Sequence, residues 1–247
     1  MDIINRILIE LPPEIRSSLY DGFGFCMHIV MLVFLAVQAK YASLNKKGIL
    51  QLFVSYYVAF SAGNIACNVS NSLTDGLIPR INLGVAFLVF LLVLILLLRL
   101  LKAPVCPFLD ISVPVFLLGR AVGIIGCIFT GCCHGFFATW GIYSHQAKTT
   151  VVPTVLVDIA SSCVIVFYLL LKRKKVSASG MIATKGILLF GVLRYVVDVL
   201  RDNQKQFGFL TAEGICGALY VLIGFVLLFI IDNKQQIKSA LHLGRAN

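Results

Sequence analysis

The chain has 247 residues, of which 59% belong to the set AVILMFWYC and only 13% are charged, and its mean hydropathy is +0.95. Soluble domains have about 45–50% apolar and about 25% charged residues, so this composition excludes a soluble enzyme, a disordered tail, a collagen-like fibre and a small disulfide scaffold. It predicts an all-α, polytopic membrane bundle. The net charge of +10 is expected of basic residues that flank membrane spans. No aromatic-rich basic face accompanies the charge, which excludes nucleic acid as a partner.

The apolar segments follow one another along the chain with short polar connections. Residues 1–21 are too polar for the hydrocarbon and are predicted to form an interfacial segment, broken at Pro12 and Pro13. Residues 22–231 are predicted to form one membrane domain of about seven transmembrane helices, since each crossing needs roughly 20 residues. The predicted spans are 22–39, 48–67, 81–98, 111–130, 152–171, 186–200 and 215–231, and residues 232–247 form a tail.

The distribution of Lys and Arg predicts the orientation of these spans. The connections after the odd-numbered spans, together with the tail, hold 13 of the 21 basic residues, whereas the other connections and the N-terminus hold 6. Basic residues collect on the cytoplasmic side of a membrane protein. The N-terminus is therefore predicted to lie outside and the C-terminus in the cytoplasm.

Four charged residues lie inside predicted spans, and a fifth, Arg201, lies one helical turn beyond Asp198. A charge at the centre of a span costs about 2.5 to 3.5 kcal/mol on insertion, so each one is a functional hypothesis. The five are Arg120, halfway along the fourth span, Asp158 in the fifth, and Arg194, Asp198 and Arg201 on one predicted helix face of the sixth. Convergence of these helices would form a polar cavity open to the outer leaflet. A structural Arg194–Asp198 ion pair and a structural Arg120 remain open alternatives.

A glycine- and cysteine-rich segment, residues 123–135, ends the fourth span. Its early glycines suit close helix packing, and its last two end the helix and let the backbone approach a ligand. The residues of interest are Gly126, Gly131, Cys132, Cys133, His134 and Gly135. No second Cys or His pair has ligand spacing, so no zinc site is expected. A redox-active pair of adjacent cysteines is an alternative.

Four stretches, in order, resemble the prolipoprotein diacylglyceryl transferases, which are integral membrane enzymes of bacteria. The resemblance covers roughly residues 80–230. The chain follows a variant branch of the family, whose signature reads Gly-Cys-Cys-x-Gly. Its seven spans and outer N-terminus agree with the topology predicted above. The matching stretches are 110–114, 123–135, 153–158 and 190–201, the last resembling a Tyr-Gly-x-x-Arg-Phe-x-x-Glu-x-x-Arg helix.

Three positions depart from the family pattern. Ile124 stands where the signature has arginine, and Arg120 lies four residues earlier, on the same helix face. The segment 83–85 reads Leu-Gly-Val in place of His-Gly-Gly, and Phe190 replaces a tyrosine. Arg120 is therefore expected to supply the signature charge one turn away.

The resemblance implies transfer of a diacylglyceryl group from phosphatidylglycerol to the lipobox cysteine of a prolipoprotein, in the bacterial plasma membrane. Arg194 and Arg120 would hold the lipid phosphate, because guanidinium suits phosphate geometry. His134, at the outer boundary, would deprotonate the thiol of the signal-peptide segment. No metal or cofactor is required. The predicted substrate-binding residues are Gly126, Gly131, Cys132, Gly135, Pro153, Asp158, Asp198 and Arg201, with Asp158 and Asp198 orienting the cations.

Three other functions remain possible at this point. The replaced histidine and tyrosine favour a non-catalytic lipid-binding paralogue. A different head-group or acyl transfer could use the same scaffold. A small-solute transporter would need discontinuous helices in repeated halves, and the sequence has no such repeat.

Overall fold

The computed structural model describes residues 2–73, 83–173, 179–201 and 211–243. Its described part is mainly helical, as the composition predicts, and connections are short. The helices are α1 Asp2–Glu10, α2 Pro13–Tyr41, α3 Lys46–Leu73, α4 Leu83–Leu100, α5 Val105–Gly123, α6 Gly126–Thr130, α7 Thr154–Arg173, α8 Met181–Leu200 and α9 Ala212–Leu243.

A small antiparallel hairpin lies between α6 and α7 and is a minor addition to the predicted all-α bundle. Strand β1 covers Phe137–Ser144 and β2 covers Thr149–Val151. Ser144 pairs with Thr149 and Ile142 with Val151. The β-branched run of β2 favours a strand, but three residues are too few for a hydropathy pattern to reveal.

The described residues of the seven predicted spans are almost all helical, although not all of the helices meet the length and composition of a membrane crossing. Five do so: Pro13–Tyr41, Lys46–Val69, Val105–Thr130, Thr154–Arg173 and Glu213–Asn233. The apolar helix Gly84–Leu100 is shorter, and α8 carries Lys185, Arg194 and Asp198. The structure is thus a helical membrane bundle with five candidate spans, and the number seven and the orientation stay predictions.

Two predicted boundaries fall within or between helices. Helix α2 is continuous from Pro13 to Tyr41, and the membrane boundary predicted after Asp21 stays a prediction. Proline is tolerated at the first turn of a helix, where its missing N–H has no intrahelical partner. The fourth predicted span contains two helices, since α5 ends at Gly123 and α6 starts at Gly126. Arg120 lies in the last turn of α5, inside the candidate span Val105–Thr130.

Aromatic side chains form the centre of the bundle. Phe87 and Phe90 of α4 contact Phe116 of α5 with ring centroids 4.6 and 4.9 Å apart. Phe87 also contacts Phe190 of α8 at 4.7 Å and Tyr220 of α9 at 5.3 Å. Such pairs stabilise a core beyond their buried area. This cluster fixes α4, α5, α8 and α9 around one point. The charged residues lie next to it, since the Arg120 guanidinium is 5.4 Å from the centre of the Phe190 ring.

Candidate functional site

Asp158 is the centre of the charged site. It lies one turn into α7 and its side chain is fully buried. Its Oδ2 atom lies 2.5 Å from Nη2 of Arg120, 3.1 Å from Nη1 of Arg194 and 3.6 Å from Nη2 of Arg201. Three arginines that the sequence places on α5, on α8 and just after α8 therefore converge on one carboxylate oxygen.

A second carboxylate, Glu213 in the first turn of α9, completes the cluster. It pairs with Arg194 and, at 3.4 Å, with Arg201. The sequence analysis did not select Glu213. An acidic residue in the first turn of a helix is ordinarily explained by the helix dipole. A carboxylate at the start of an apolar span was therefore the available signal, and it did not distinguish Glu213 from an ordinary helix-terminal residue.

The arginine cluster, defined as Arg120, Arg194, Arg201, Asp158 and Glu213, carries an excess of positive charge. Among the described residues, its three guanidiniums face two carboxylates, and the three arginines are 1% to 7% exposed. Burial of an unmatched charge costs free energy unless a counterion or a ligand compensates it. The site is therefore suited to one further anion.

Each arginine of the cluster also keeps an unused donor. The Nε atoms of Arg120, Arg194 and Arg201 are buried and have no hydrogen-bond partner within the described ranges. Buried polar groups in folded proteins are usually paired, with protein or with water. Three such donors within one cluster are suited to an oxyanion or to water.

Arg120 is held by more than its ion pair. Its Nη1 donates to the Ser162 hydroxyl at 3.0 Å, and its guanidinium lies 5.4 Å from the centre of the Phe190 ring. Ser162 follows Asp158 by one helical turn on α7. Phe190, which stands at the family's tyrosine position, thus packs against the same guanidinium.

The Asp198 carboxylate contacts Thr211 in the structure, and its role in orienting the arginines stays a prediction. Its carboxylate accepts hydrogen bonds from the Thr211 backbone N–H at 3.1 Å and from the Thr211 hydroxyl. Within the described ranges it forms no ion pair. Arg201 follows α8 in an extended conformation, and its side chain lies with that of Arg194 beside Asp158. Asp198 instead anchors the residue that precedes α9.

The loop 131–135 passes beside the arginine cluster. Gly131 has φ +69°, which favours glycine, and its N–H closes α6 on the Cys127 carbonyl. Gly135 forms an antiparallel bridge with Arg201. A Cβ atom on Gly135 would lie 2.8 Å from the Val152 carbonyl and 2.9 Å from the Leu200 carbonyl. These close contacts explain both glycines by packing, and a substrate contact remains a prediction.

His134 is half-buried in this loop, with Nδ1 3.3 Å from the Gly135 carbonyl. It borders a small cavity of about 10 Å³ that Cys133 and Ser144 also line. That volume holds roughly one water molecule. The cavity is therefore too small for a lipid. The neighbouring Gly135–Arg201 bridge connects the His134 loop to the arginine cluster.

The remaining predicted site residues surround this region. Pro153 precedes α7, and its carbonyl accepts the first helical hydrogen bond, from Val157. Cys132 is exposed, with its sulfur 3.8 Å from that of Cys133. Gly126 starts α6 against the backbone of Tyr20, 3.1 Å from the position that its Cβ would take. These three residues help to position the loop 131–135 and α7. Their roles in substrate binding stay predictions.

Comparison with known proteins gives one consistent similarity. The sequence model of prolipoprotein diacylglyceryl transferase matches residues 82–230. Proteins named phosphatidylglycerol–prolipoprotein diacylglyceryl transferase are similar: 29% identical over 140 residues in Dehalococcoides mccartyi strain 195, 27% over 147 in Clostridium tetani and 31% over 136 in Finegoldia magna. The matches cover 53% of this chain and 53% to 56% of those proteins. The chain thus spans about half the length of these relatives.

Proposed function

Because the chain belongs to the prolipoprotein diacylglyceryl transferase family, we propose that it transfers a diacylglyceryl group from phosphatidylglycerol to the lipobox cysteine of a prolipoprotein. The observation that carries this proposal is the arginine cluster, with its excess positive charge and its three unused Nε donors. A phospholipid phosphate supplies the anion that this cluster lacks.

The chemistry uses the cluster at the step where charge develops. The thiolate sulfur forms a bond to the terminal glyceryl carbon, the bond from that carbon to the phosphate oxygen breaks, and glycerol phosphate leaves with the electron pair. The phosphate changes from a singly charged diester to a doubly charged monoester. A cationic site stabilises that added charge in the transition state. Arg194 and Arg120 are the proposed phosphate ligands, and Arg201 completes the site.

His134 is the proposed base for the acceptor thiol. Histidine is the side chain that most often serves as a general base, and a base is needed here because the thiolate is the nucleophile. The Gly135–Arg201 bridge brings the loop that carries His134 to the arginine cluster. The proton lost by the thiol would pass to the imidazole and then to water.

The proposed setting is the outer face of the bacterial plasma membrane, with seven crossings and a cytoplasmic C-terminus. The Lys and Arg distribution supports this orientation. The relatives named above come from bacteria. The signal-peptide segment would then present its cysteine at the boundary where the loop 131–135 lies.

The direct test uses the purified full chain with vesicles of phosphatidylglycerol and a lipobox peptide. Mass spectrometry of the peptide should detect the mass of one diacylglyceryl group, and the lipid extract should contain glycerol phosphate. A peptide with serine in place of the lipobox cysteine is the control. Transfer of any other group would favour a different lipid-group transferase on the same scaffold.

A non-catalytic lipid-binding protein is the second candidate. Phe190, at the family's tyrosine position, is fully buried in the aromatic core and offers no hydroxyl. Leu83 stands where the family has histidine, and it is not among the residues whose side chains are described. Binding of phosphatidylglycerol without any modified peptide would support this candidate and contradict catalysis.

A further inference from the structure

Three cysteine thiols lie together at the end of α6. The Sγ atoms of Cys127, Cys132 and Cys133 are all within 4.8 Å of one another. Linear spacing does not reveal this group, because a pair of neighbouring cysteines and a cysteine five residues earlier do not follow a zinc-binding pattern. The left-handed Gly131 reverses the chain after the single turn of α6 and folds Cys132 and Cys133 over Cys127.

We propose that Cys127, Cys132 and Cys133 bind one Zn²⁺ ion. Zinc is tetrahedral with Zn–S bonds of about 2.3 Å, which places two sulfur ligands about 3.8 Å apart. The Cys132 and Cys133 sulfurs are 3.8 Å apart. The thiol group is therefore arranged for a shared metal, whereas a disulfide requires a sulfur separation of about 2.05 Å.

A hydrogen-bond donor contacts one thiol of the group. The Thr130 hydroxyl donates to the Cys132 sulfur at 3.4 Å. A donor beside a metal ligand helps to orient it.

Coordination would be incomplete without a ligand from outside this group. Among the described residues, the group contains three ligand atoms, all from cysteine. Three protein ligands and one open position are typical of zinc sites that bind water or a substrate. Cys132 is exposed and provides a path for the ion, while Cys127 is buried. The inference is independent of the proposed transfer reaction.

Metal content of the purified full chain tests the inference. Protein that has been reduced and treated with a chelator is incubated with Zn²⁺, separated from free metal and analysed. We expect roughly one Zn²⁺ per chain in the wild type. Cys132→Ser and Cys133→Ser should lower zinc affinity by at least about tenfold. Cys163→Ser, which changes an exposed cysteine of α7, should bind zinc as the wild type does.

Two further readouts separate loss of the site from loss of the fold. Zn²⁺ should raise the Tm of the wild type and of Cys163→Ser, but not that of Cys132→Ser, while all three unfold alike in chelator. Cd²⁺ should produce thiolate-to-metal charge-transfer absorption that weakens with each replaced cysteine. Equal zinc content in Cys132→Ser, or a disulfide within this group in unreduced protein from membranes, would overturn the proposal.

Discussion

Arg120 and Asp158 join α5 to α7 through an ion pair of 2.5 Å in which neither side chain is more than 5% exposed. The same carboxylate oxygen receives Arg194 and Arg201. Asp158 is consequently the common counterion of three arginines that are far apart in the sequence. Its removal would leave Glu213 as the only carboxylate of the arginine cluster.

Replacement of Asp158 should therefore destabilise the fold. We expect Asp158→Asn to lower the free energy of unfolding by about 3–5 kcal/mol, the cost of leaving buried charges without their partner. Unfolding of detergent-purified protein measures it. Asp21→Asn, at an exposed position of α2, is the matched control.

Anionic lipid should partly rescue the same variant. Asp158→Asn raises the charge of the arginine cluster by one, so phosphatidylglycerol should increase its Tm more than that of the wild type, since a ligand of the folded state stabilises it by mass action. Phosphatidylcholine controls for a general effect of lipid. An equal Tm increase in both proteins would contradict anion binding at the cluster.

Arg194 should be required for lipid chemistry. Arg194→Ala and Arg194→Lys are both expected to reduce transfer about 100-fold or more, because a guanidinium contributes paired donors to a developing phosphate charge. Asp158 would retain Arg120 and Arg201 as partners, and Glu213 would retain Arg201. The variants should therefore still fold.

The transfer assay measures this effect, with Tm recorded for each variant. Arg99→Ala and Arg99→Lys, at the exposed end of α4, are the controls and should be active. Full activity in Arg194→Ala would refute phosphate binding by this residue.

Asp110 should stabilise the start of α8. Its two carboxylate oxygens accept hydrogen bonds from the backbone N–H groups of Gly180 and Ala183, both at 2.7 Å. Loss of a capping side chain costs about 0.5–2 kcal/mol, so Asp110→Ala should lower the free energy of unfolding by that amount. Asp110→Asn retains an acceptor and should cost less. Equal stability of Asp110→Ala and the wild type would show that the cap contributes nothing.

The positions of the helices and of the charged residues were largely accessible from the sequence. Hydropathy located all seven apolar segments, because a membrane helix needs a long apolar run. Burial cost selected Arg120, Asp158 and Arg194, and the structure brings these three together. Nothing in a linear pattern states which carboxylate an arginine reaches, however, and the hydrogen bonds from Thr211 to Asp198 were not predicted.

The parts that could not be predicted depend on where the chain turns. Arg201 forms a backbone bridge with Gly135 because α8 ends at Leu200 and the next residue is extended. Cys127 joins Cys132 and Cys133 because Gly131 reverses the chain. Such turns are set by tertiary packing, as the contacts around Gly135 illustrate. A difference of one residue in a helix end changes the face on which a side chain lies.

The predicted topology can be tested with single cysteines. In a chain whose native cysteines are replaced by alanine, Gln146→Cys, exposed in the connection between β1 and β2, should react with a membrane-impermeant thiol reagent applied to intact cells. Ser179→Cys, in the connection between α7 and α8, should react only after permeabilisation. The reverse pattern would place the site at the cytoplasmic face.

The last prediction concerns the position of the Arg120 charge. Ile124, where the family has arginine, lies one turn further, at the C-terminal cap of α5. The exchange Arg120→Ile with Ile124→Arg should retain part of the Tm increase caused by phosphatidylglycerol, because residues four apart lie on one helix face. Arg120→Ile alone should lose it, since one cation that faces the phosphate disappears.

Thermal unfolding with and without the lipid measures both variants of Arg120. The comparison also separates a lipid ligand from a structural residue. Arg120 binds Asp158 and Ser162, so a purely structural role would lower the Tm of Arg120→Ile and of the exchange alike. In that case, the lipid would still raise both Tm values as much as it raises that of the wild type. An equal lipid-induced increase in the wild type and in Arg120→Ile would therefore refute the idea that Arg120 replaces the family arginine. Recovery of the Tm increase in the exchange alone would establish that the phosphate requires the charge, and not the side chain at position 120.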